Sequence, residues 1–158
     1  MTKTRVGTPC VGVCSTTYGD TVCRGCKRFL HEVVHWNGYD EQEKRIVWQR
    51  LDQLLSLVVE NYLVVEDPSR LQSRMEYQNL RLQPQLSPYG WVPELLKAAG
   101  RQPLDWQEFG LRLQRQTPEL TPGQLYERIS QEFHALSSAH FQRNHGHLST
   151  ANQAPETS

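Results

Sequence analysis

Four cysteines near the N-terminus are the residues whose type and spacing best match a known chemistry. Cys10, Cys14, Cys23 and Cys26 follow the pattern C-x3-C-x8-C-x2-C. A tetrahedral zinc ion takes four ligands, and cysteines two to four residues apart supply two of them from one turn. Four thiolates are also the standard ligand set of an iron–sulfur cluster. We therefore predict that these cysteines bind a metal centre, which is either zinc or an iron–sulfur cluster.

The second cysteine pair, Cys23 and Cys26, lies in a sequence that favours bound thiolates. Gly25 stands between them, where a turn around a metal often needs a positive φ angle. We expect the pair to lie at the start of a helix, whose free N–H groups stabilise thiolate charge. Three neighbouring basic side chains would offset the charge of four thiolates around one dication: Arg24, Lys27 and Arg28.

The competing interpretation is a set of free or redox-active thiols. A C-x-x-C pair can be thioredoxin-like, but that interpretation needs a strand–helix context, which is absent around Cys23. A disulfide framework is typical of secreted chains. No apolar run follows residues 1–5, as it would in a secretory signal. We therefore expect a cytoplasmic protein with reduced thiols.

Helices are predicted for most of the chain that has to position the cysteines. Residues 1–26 favour loops and turns, and a short helix is expected over about 27–36, ended by Asn37-Gly38. Asp40 and Glu43 form a capping-box-like start for a longer helix. Its apolar residues recur at steps of three or four and form a stripe: Val47, Leu51, Leu54, Val58, Tyr62 and Val65. Residues 62–65 alternatively form a short strand.

The rest of the chain predicts further helices over 68–82, 93–99, 104–116 and from Thr121 to about Phe141, with an ordered loop over 84–93. The expected fold class is mainly α, with a loop-rich four-cysteine metal knuckle at the N-terminus followed by a helical bundle-like body. We divide the chain into a metal-binding module with the first helix (1–38), a helical body (39–142) and a disordered tail (143–158).

Composition and charge limit the classes of partner. Basic and acidic residues balance at 17 each, so the whole chain has no bias towards nucleic acid or a membrane surface. No segment has the roughly eighteen consecutive apolar residues of a membrane span. A protein partner is the main expectation. A nucleic acid is supported only by Trp36 and the few basic side chains near the cysteines.

The sequence contains no evident catalytic set. It has no Walker or dinucleotide-binding glycine loop. Ser15, Thr16 and Thr17 lie between cysteines, but no acid–base partner can be assigned to them. His31 and His35 share a helix face and could support the metal, although such pairs are more often helix surface. These absences argue against an enzyme.

The residues around the cysteines resemble a bacterial domain of unknown function, number 1289, over about residues 8–55. The family shares a PC-x3-C…C-x-G-C-x-R…E-x3-W pattern, matched here from Pro9 through Arg28 and Glu32 to Trp36, and then an acidic helix start at Asp40. The resemblance implies a bacterial cytoplasmic protein that is commonly labelled a predicted iron–sulfur protein. It implies no activity, substrate or partner.

Three functions are compatible with these observations. The first is a module for protein interaction in which the metal is structural. The second is an iron–sulfur protein for electron transfer or redox sensing. The third is an accessory subunit whose enzyme partner carries the catalytic residues. Gly25 favours a structural site and the family label favours a cluster, so zinc and iron–sulfur are close to even.

Overall fold

The computed structural model describes residues 6–12 and 14–153, and side chains as far as residue 144. Its architecture is mainly α, as the periodicity predicts. Five α-helices run over Leu30–His35 (α1), Glu41–Glu60 (α2), Pro68–Tyr77 (α3), Pro88–Ala99 (α4) and Pro122–Gln153 (α5) in the described part of the chain. Short 3-10 helices lie at Ser15–Tyr18, Trp36–Gly38 and Gln107–Phe109. No helix among the residues described is long and apolar enough to cross a membrane.

Helix α2 is the centre of the fold. The predicted stripe is buried from Val47 to Tyr62, because α4 and α5 both pack against the helix, whereas Val65 lies beyond its end and is half-buried. Three further apolar residues of the helix are buried as well: Trp48, Leu55 and Val59. The predicted capping box is confirmed: Asp40 Oδ1 accepts the Glu43 N–H at 2.7 Å, and Glu43 Oε1 accepts the Asp40 N–H at 3.2 Å. Capping and stripe together explain why this helix is the most accurately predicted element.

Replacing Asp40 by alanine is expected to lower the free energy of unfolding by about 1 kcal/mol, because the Glu43 N–H loses its side-chain acceptor. Chemical denaturation of the pure protein measures the loss. Asp40→Ser keeps an acceptor at the same position and is the matched control. An equal loss in both variants would show that the cap contributes nothing specific.

A small antiparallel sheet follows α2, and it contradicts one predicted helix. Strand β1 (Leu63–Val65) pairs with β2 (Leu111–Leu113), which confirms the alternative of a short strand after α2. The helix predicted over 104–116 is wrong, because this segment is a 3-10 turn followed by β2. Gly110 lies between them with φ 69°, and an added Cβ would come within 2.5 Å of the Asp67 carbonyl oxygen. The backbone must therefore leave a helical path at this residue.

Other predicted boundaries differ from the structure. Helix α3 ends at Tyr77 rather than near residue 82, and Asn79 takes a left-handed conformation at φ 58°. The ordered loop expected over 84–93 extends only to Ser87, because α4 begins at Pro88 and contains Pro93. A proline in the first turn lacks an N–H that the helix does not use, so Pro88 starts a helix rather than preventing one.

The N-terminal segment packs on the helical body. Val6 and Trp36 belong to the same apolar core as α2, and Val22 and Phe29 form a second cluster with Phe141 of α5. The core therefore crosses the predicted boundary at residue 38. Helix α5, expected to end near residue 141, continues as backbone helix to Gln153, so the tail predicted to be disordered is helical over 143–153. Residues 154–158 of that tail lie outside the described residues.

Candidate metal centre

The second cysteine pair lies in a tight turn over residues 23–28, here called the Cys23–Arg28 turn. The Cys23 N–H donates to the Arg28 carbonyl at 2.9 Å, and the Lys27 N–H donates to the Cys23 carbonyl at 2.8 Å. A β-bridge between Val22 and Phe29 closes the turn at its base. We expected the left-handed residue here at Gly25, and the structure records one at Lys27 (φ 66°). The two hydrogen bonds and the β-bridge hold Lys27 in a conformation that usually favours glycine.

The Cys23 sulfur lies in a pocket of backbone N–H groups. Burial raises the pKa of this thiol, but hydrogen bonds from the N–H groups of Cys26, Ser15 and Gly25 outweigh that effect, so the pKa falls to about 7. The expected source of N–H groups was the start of a helix, and that expectation is wrong because α1 begins only at Leu30. Cys26 and Gly25 of the turn supply two of the donors, and Ser15, the first residue of the 3-10 helix Ser15–Tyr18, supplies the third.

Cys26 and Cys14 border Cys23. Cys26 is hydrogen-bonded to the Cys23 sulfur, and its own sulfur accepts Nε of Arg28 at 3.2 Å. Burial raises the pKa of Cys26 in spite of that contact. Cys14 lies near enough for the charge of Cys23 to affect it, and a hydrogen bond with the Thr16 hydroxyl (3.0 Å) lowers its pKa. Three of the four predicted ligands thus lie in one neighbourhood.

Cys10 is the exposed member of the set. Its sulfur accepts the N–H of Gly12 at 3.4 Å within the loop over residues 8–12. Over the residues described, no three side chains of histidine, cysteine, aspartate or glutamate lie close enough to hold a metal ion. The structure therefore joins Cys23 to Cys26, places Cys14 beside them and leaves Cys10 at the surface.

Arg28 connects the cysteines to the core. Its side chain is only 4% exposed, and its guanidinium lies 5.0 Å from the centre of the Trp36 ring while Nε donates to Cys26. A buried guanidinium between a sulfur and an aromatic face is stabilised by both. From the sequence we expected Arg28 to match the family motif and to offset thiolate charge, but not to contact Trp36. In the motif, Arg28 lies two residues after Cys26 and eight before Trp36. This spacing is the sequence signal that could have indicated its contacts with both residues.

Glu32 and Arg50 form an ion pair next to the Cys23–Arg28 turn. Glu32 Oε1 accepts the Phe29 N–H at 2.8 Å, which caps α1, and the same carboxylate accepts both terminal nitrogens of Arg50 at 2.5 and 2.7 Å. The Arg50 guanidinium also lies 3.9 Å from the centre of the Phe29 ring. This bidentate pair ties α1 to α2. The motif pointed to Glu32, whereas nothing in the sequence pattern indicated Arg50.

Arg28 thus connects Cys26 to Trp36, and Glu32 connects the same segment to Arg50 of α2. A comparison with known families covers these residues. Residues 8–55 match the family described as protein of unknown function (DUF1289). The resemblance inferred from the motif is confirmed over this range. No curated protein and no solved structure gives a significant match to the chain.

Helix α5, which lies outside the DUF1289 match, holds the Cys23–Arg28 turn from the other side. Lys27 Nζ donates to the Ser130 hydroxyl at 2.8 Å and to the Gly25 carbonyl at 3.1 Å, and it lies 5.5 Å from the centre of the Phe133 ring. Burial lowers the pKa of Lys27. His134 contacts the Val22 carbonyl at 3.2 Å. This contact joins α5 to the base of the Cys23–Arg28 turn.

The low pKa of Cys23 predicts a thiolate near neutral pH in the metal-free, reduced protein. Its ultraviolet absorbance should rise with a midpoint at about pH 7, and that step should be missing in Cys23→Ser. Because the folded-state pKa lies below 9.0, the thiolate contributes stability that is fully present above about pH 9 and lost as pH falls through about 7. A first midpoint that stays above pH 8.5, the ordinary cysteine value, would contradict the prediction.

Proposed function

We propose that Cys10, Cys14, Cys23 and Cys26 bind one metal centre, zinc or an iron–sulfur cluster, as the structural centre of a small cytoplasmic protein-interaction module. The observation that carries the proposal is the environment of the Cys23 sulfur, which receives three backbone N–H groups and contacts Cys26. Thiolate ligands need hydrogen-bond donors that stabilise their charge and fix their orientation. The Cys23–Arg28 turn and Ser15 supply such donors.

The donor set fits a four-thiolate centre, but its sulfurs have to move closer together, because no three of the described candidate side chains lie close enough to hold a metal ion. Cys14, Cys23 and Cys26 already lie in one neighbourhood, and Arg28 offers positive charge to Cys26. Cys10 has to approach them by movement of the loop over residues 8–12. Gly12 has φ 88° and open space around its Cα, so this loop has a flexible point between Cys10 and Cys14. When bound, the metal supplies a cross-link between the two cysteine pairs.

The cross-link would present an apolar surface to a protein partner. Val11 is 62% exposed between the first two cysteines, and Tyr18 is 90% exposed between Cys14 and Cys23. Leu30 and Val34, on one face of α1, are exposed as well. Exposed apolar groups that gather in one segment often mark interaction sites. An accessory subunit of an enzyme would use the same surface, and only the partner would differ.

An iron–sulfur protein for electron transfer or redox sensing is the second candidate. The N–H donors at Cys23 and the guanidinium at Cys26 favour it too, because hydrogen bonds to sulfur set the reduction potential of a cluster. A site with one ligand on an exposed loop would react with oxygen, which suits sensing.

Metal analysis with a visible absorption spectrum, on protein purified without oxygen, tests the proposal. One zinc per chain in a colourless protein would support a structural zinc site. Iron and sulfide in a brown protein would support the cluster. Protein that contains neither, and that takes up neither zinc nor iron and sulfide after reduction, would overturn the proposal.

A further inference from the structure

A cleft of about 470 Å³ lies between the cysteine segment and helices α2, α4 and α5. Small-molecule sites usually occupy roughly 300–1,000 Å³ and are lined by apolar and aromatic groups with a few polar ones. The inner wall here is apolar and buried, and it includes side chains from two helices: Trp48, Leu51, Leu55, Ile129 and Phe133. Trp91 and Tyr126 add aromatic surface nearer the outside.

The charged side chains of the cleft are mainly basic. Four bases line it, Arg24, Lys27, Arg81 and Lys97, against two acids, Glu94 and Glu127. Arg24 is paired with Asp20 at 3.2 Å, and Lys27 is held by Ser130. Arg81 and Lys97 are exposed and form no ion pair with any residue that the structure describes. Their charges are therefore available to a ligand.

We propose that this cleft binds an anionic small molecule with an apolar ring or chain. The apolar part lies against Trp48, Leu51 and Phe133, and the anionic group lies at Arg81 and Lys97. The apolar wall supplies most of the affinity by burial, while the unpaired bases select for negative charge. The cleft borders the proposed metal site, because Cys10 and Cys26 line it, but the anion-binding bases Arg81 and Lys97 lie outside the cysteine segment.

A matched series of probes tests the proposal on the full-length purified protein. Naphthalene-2-sulfonate, 2-naphthol and 2-naphthylmethylammonium share one ring system and differ in charge, and sulfonate is a weak metal ligand. Isothermal titration calorimetry should show the sulfonate binding at least about tenfold tighter than the ammonium compound. The double variant Arg81→Glu/Lys97→Glu should reverse that order.

Arg115→Glu is the control, since Arg115 is exposed and does not line the cleft. It should leave the affinity of the sulfonate unchanged, and circular dichroism should show that both variants fold. Equal affinities for the three probes would overturn the proposal. An equal loss of sulfonate affinity in the Arg115→Glu control would also overturn it, and so would the absence of binding by all three probes. Because residues 8–11 line the cleft, the titrations are made at one defined metal content. The metal analysis remains a separate test of the proposed function, since Arg81 and Lys97 are not candidate ligands.

Discussion

Replacing Cys23 by serine is expected to abolish stoichiometric metal binding and to destabilise the N-terminal segment by more than about 4 kcal/mol. Cys23 is buried, and its sulfur accepts three backbone N–H groups, so the variant loses a ligand from the best organised part of the candidate site. The free energy of metal binding is also folding free energy for a site of this kind. Metal content and thermal melting of the metal-loaded protein measure the two losses.

Cys10→Ser separates the metal contribution from packing. Cys10 is exposed, so in the metal-free protein its replacement should leave the melting temperature unchanged. In the metal-loaded protein it should lower both metal affinity and melting temperature. Full metal stoichiometry in Cys23→Ser would rule out the four-ligand set. A Cys10→Ser variant as stable as the wild type with metal bound would remove Cys10 from it.

Replacing Glu32 by alanine is expected to lower the free energy of unfolding by roughly 3 kcal/mol, because Arg50 then stays half-buried without its carboxylate. The Phe29 N–H at the start of α1 loses its acceptor in the same variant. For a chain of this size the melting temperature should fall by about 6–12 °C. Thermal and chemical denaturation measure both quantities.

A double-mutant cycle isolates the ion pair. Arg50→Met should cost less than Glu32→Ala, because methionine keeps apolar contact with Phe29 and the carboxylate keeps the Phe29 N–H. The double variant should be less destabilised than the sum of the two single variants, since each alone leaves a partner unpaired. Additive effects would show that the pair contributes nothing beyond its separate contacts.

The sequence was most informative where local chemistry and periodicity act alone. The Asp40–Glu43 capping box and the apolar steps of α2 depend on residues three or four positions apart, so they could be identified without the fold. The cysteine spacing and the Arg28, Glu32 and Trp36 pattern also indicated the DUF1289 match over residues 8–55. Periodicity misled most at β2, where a partner distant in the chain intervenes.

Helix boundaries near prolines and glycines were the main local failure. Pro88 and Pro93 suggested a loop, yet both lie within α4. Gly110 did not suggest the end of a helix, although it approaches the Asp67 backbone so closely that no side chain fits. The first error arises because proline occurs at the start of helices as well as at their ends. The second arises because the contact that excludes a side chain at Gly110 is made more than forty residues away in the chain.

By itself, the sequence determined the helical class, the principal helix, the four cysteines as candidate ligands and the family motif. These features depend on residue type and short spacing, which no distant contact changes. Only the tertiary structure decided which N–H groups surround the Cys23 sulfur, that Glu32 pairs with Arg50, and that α5 contacts the Cys23–Arg28 turn. Each of these joins residues far apart in the chain, or depends on a turn whose left-handed residue is a lysine. Their geometry exists only once the helices have packed.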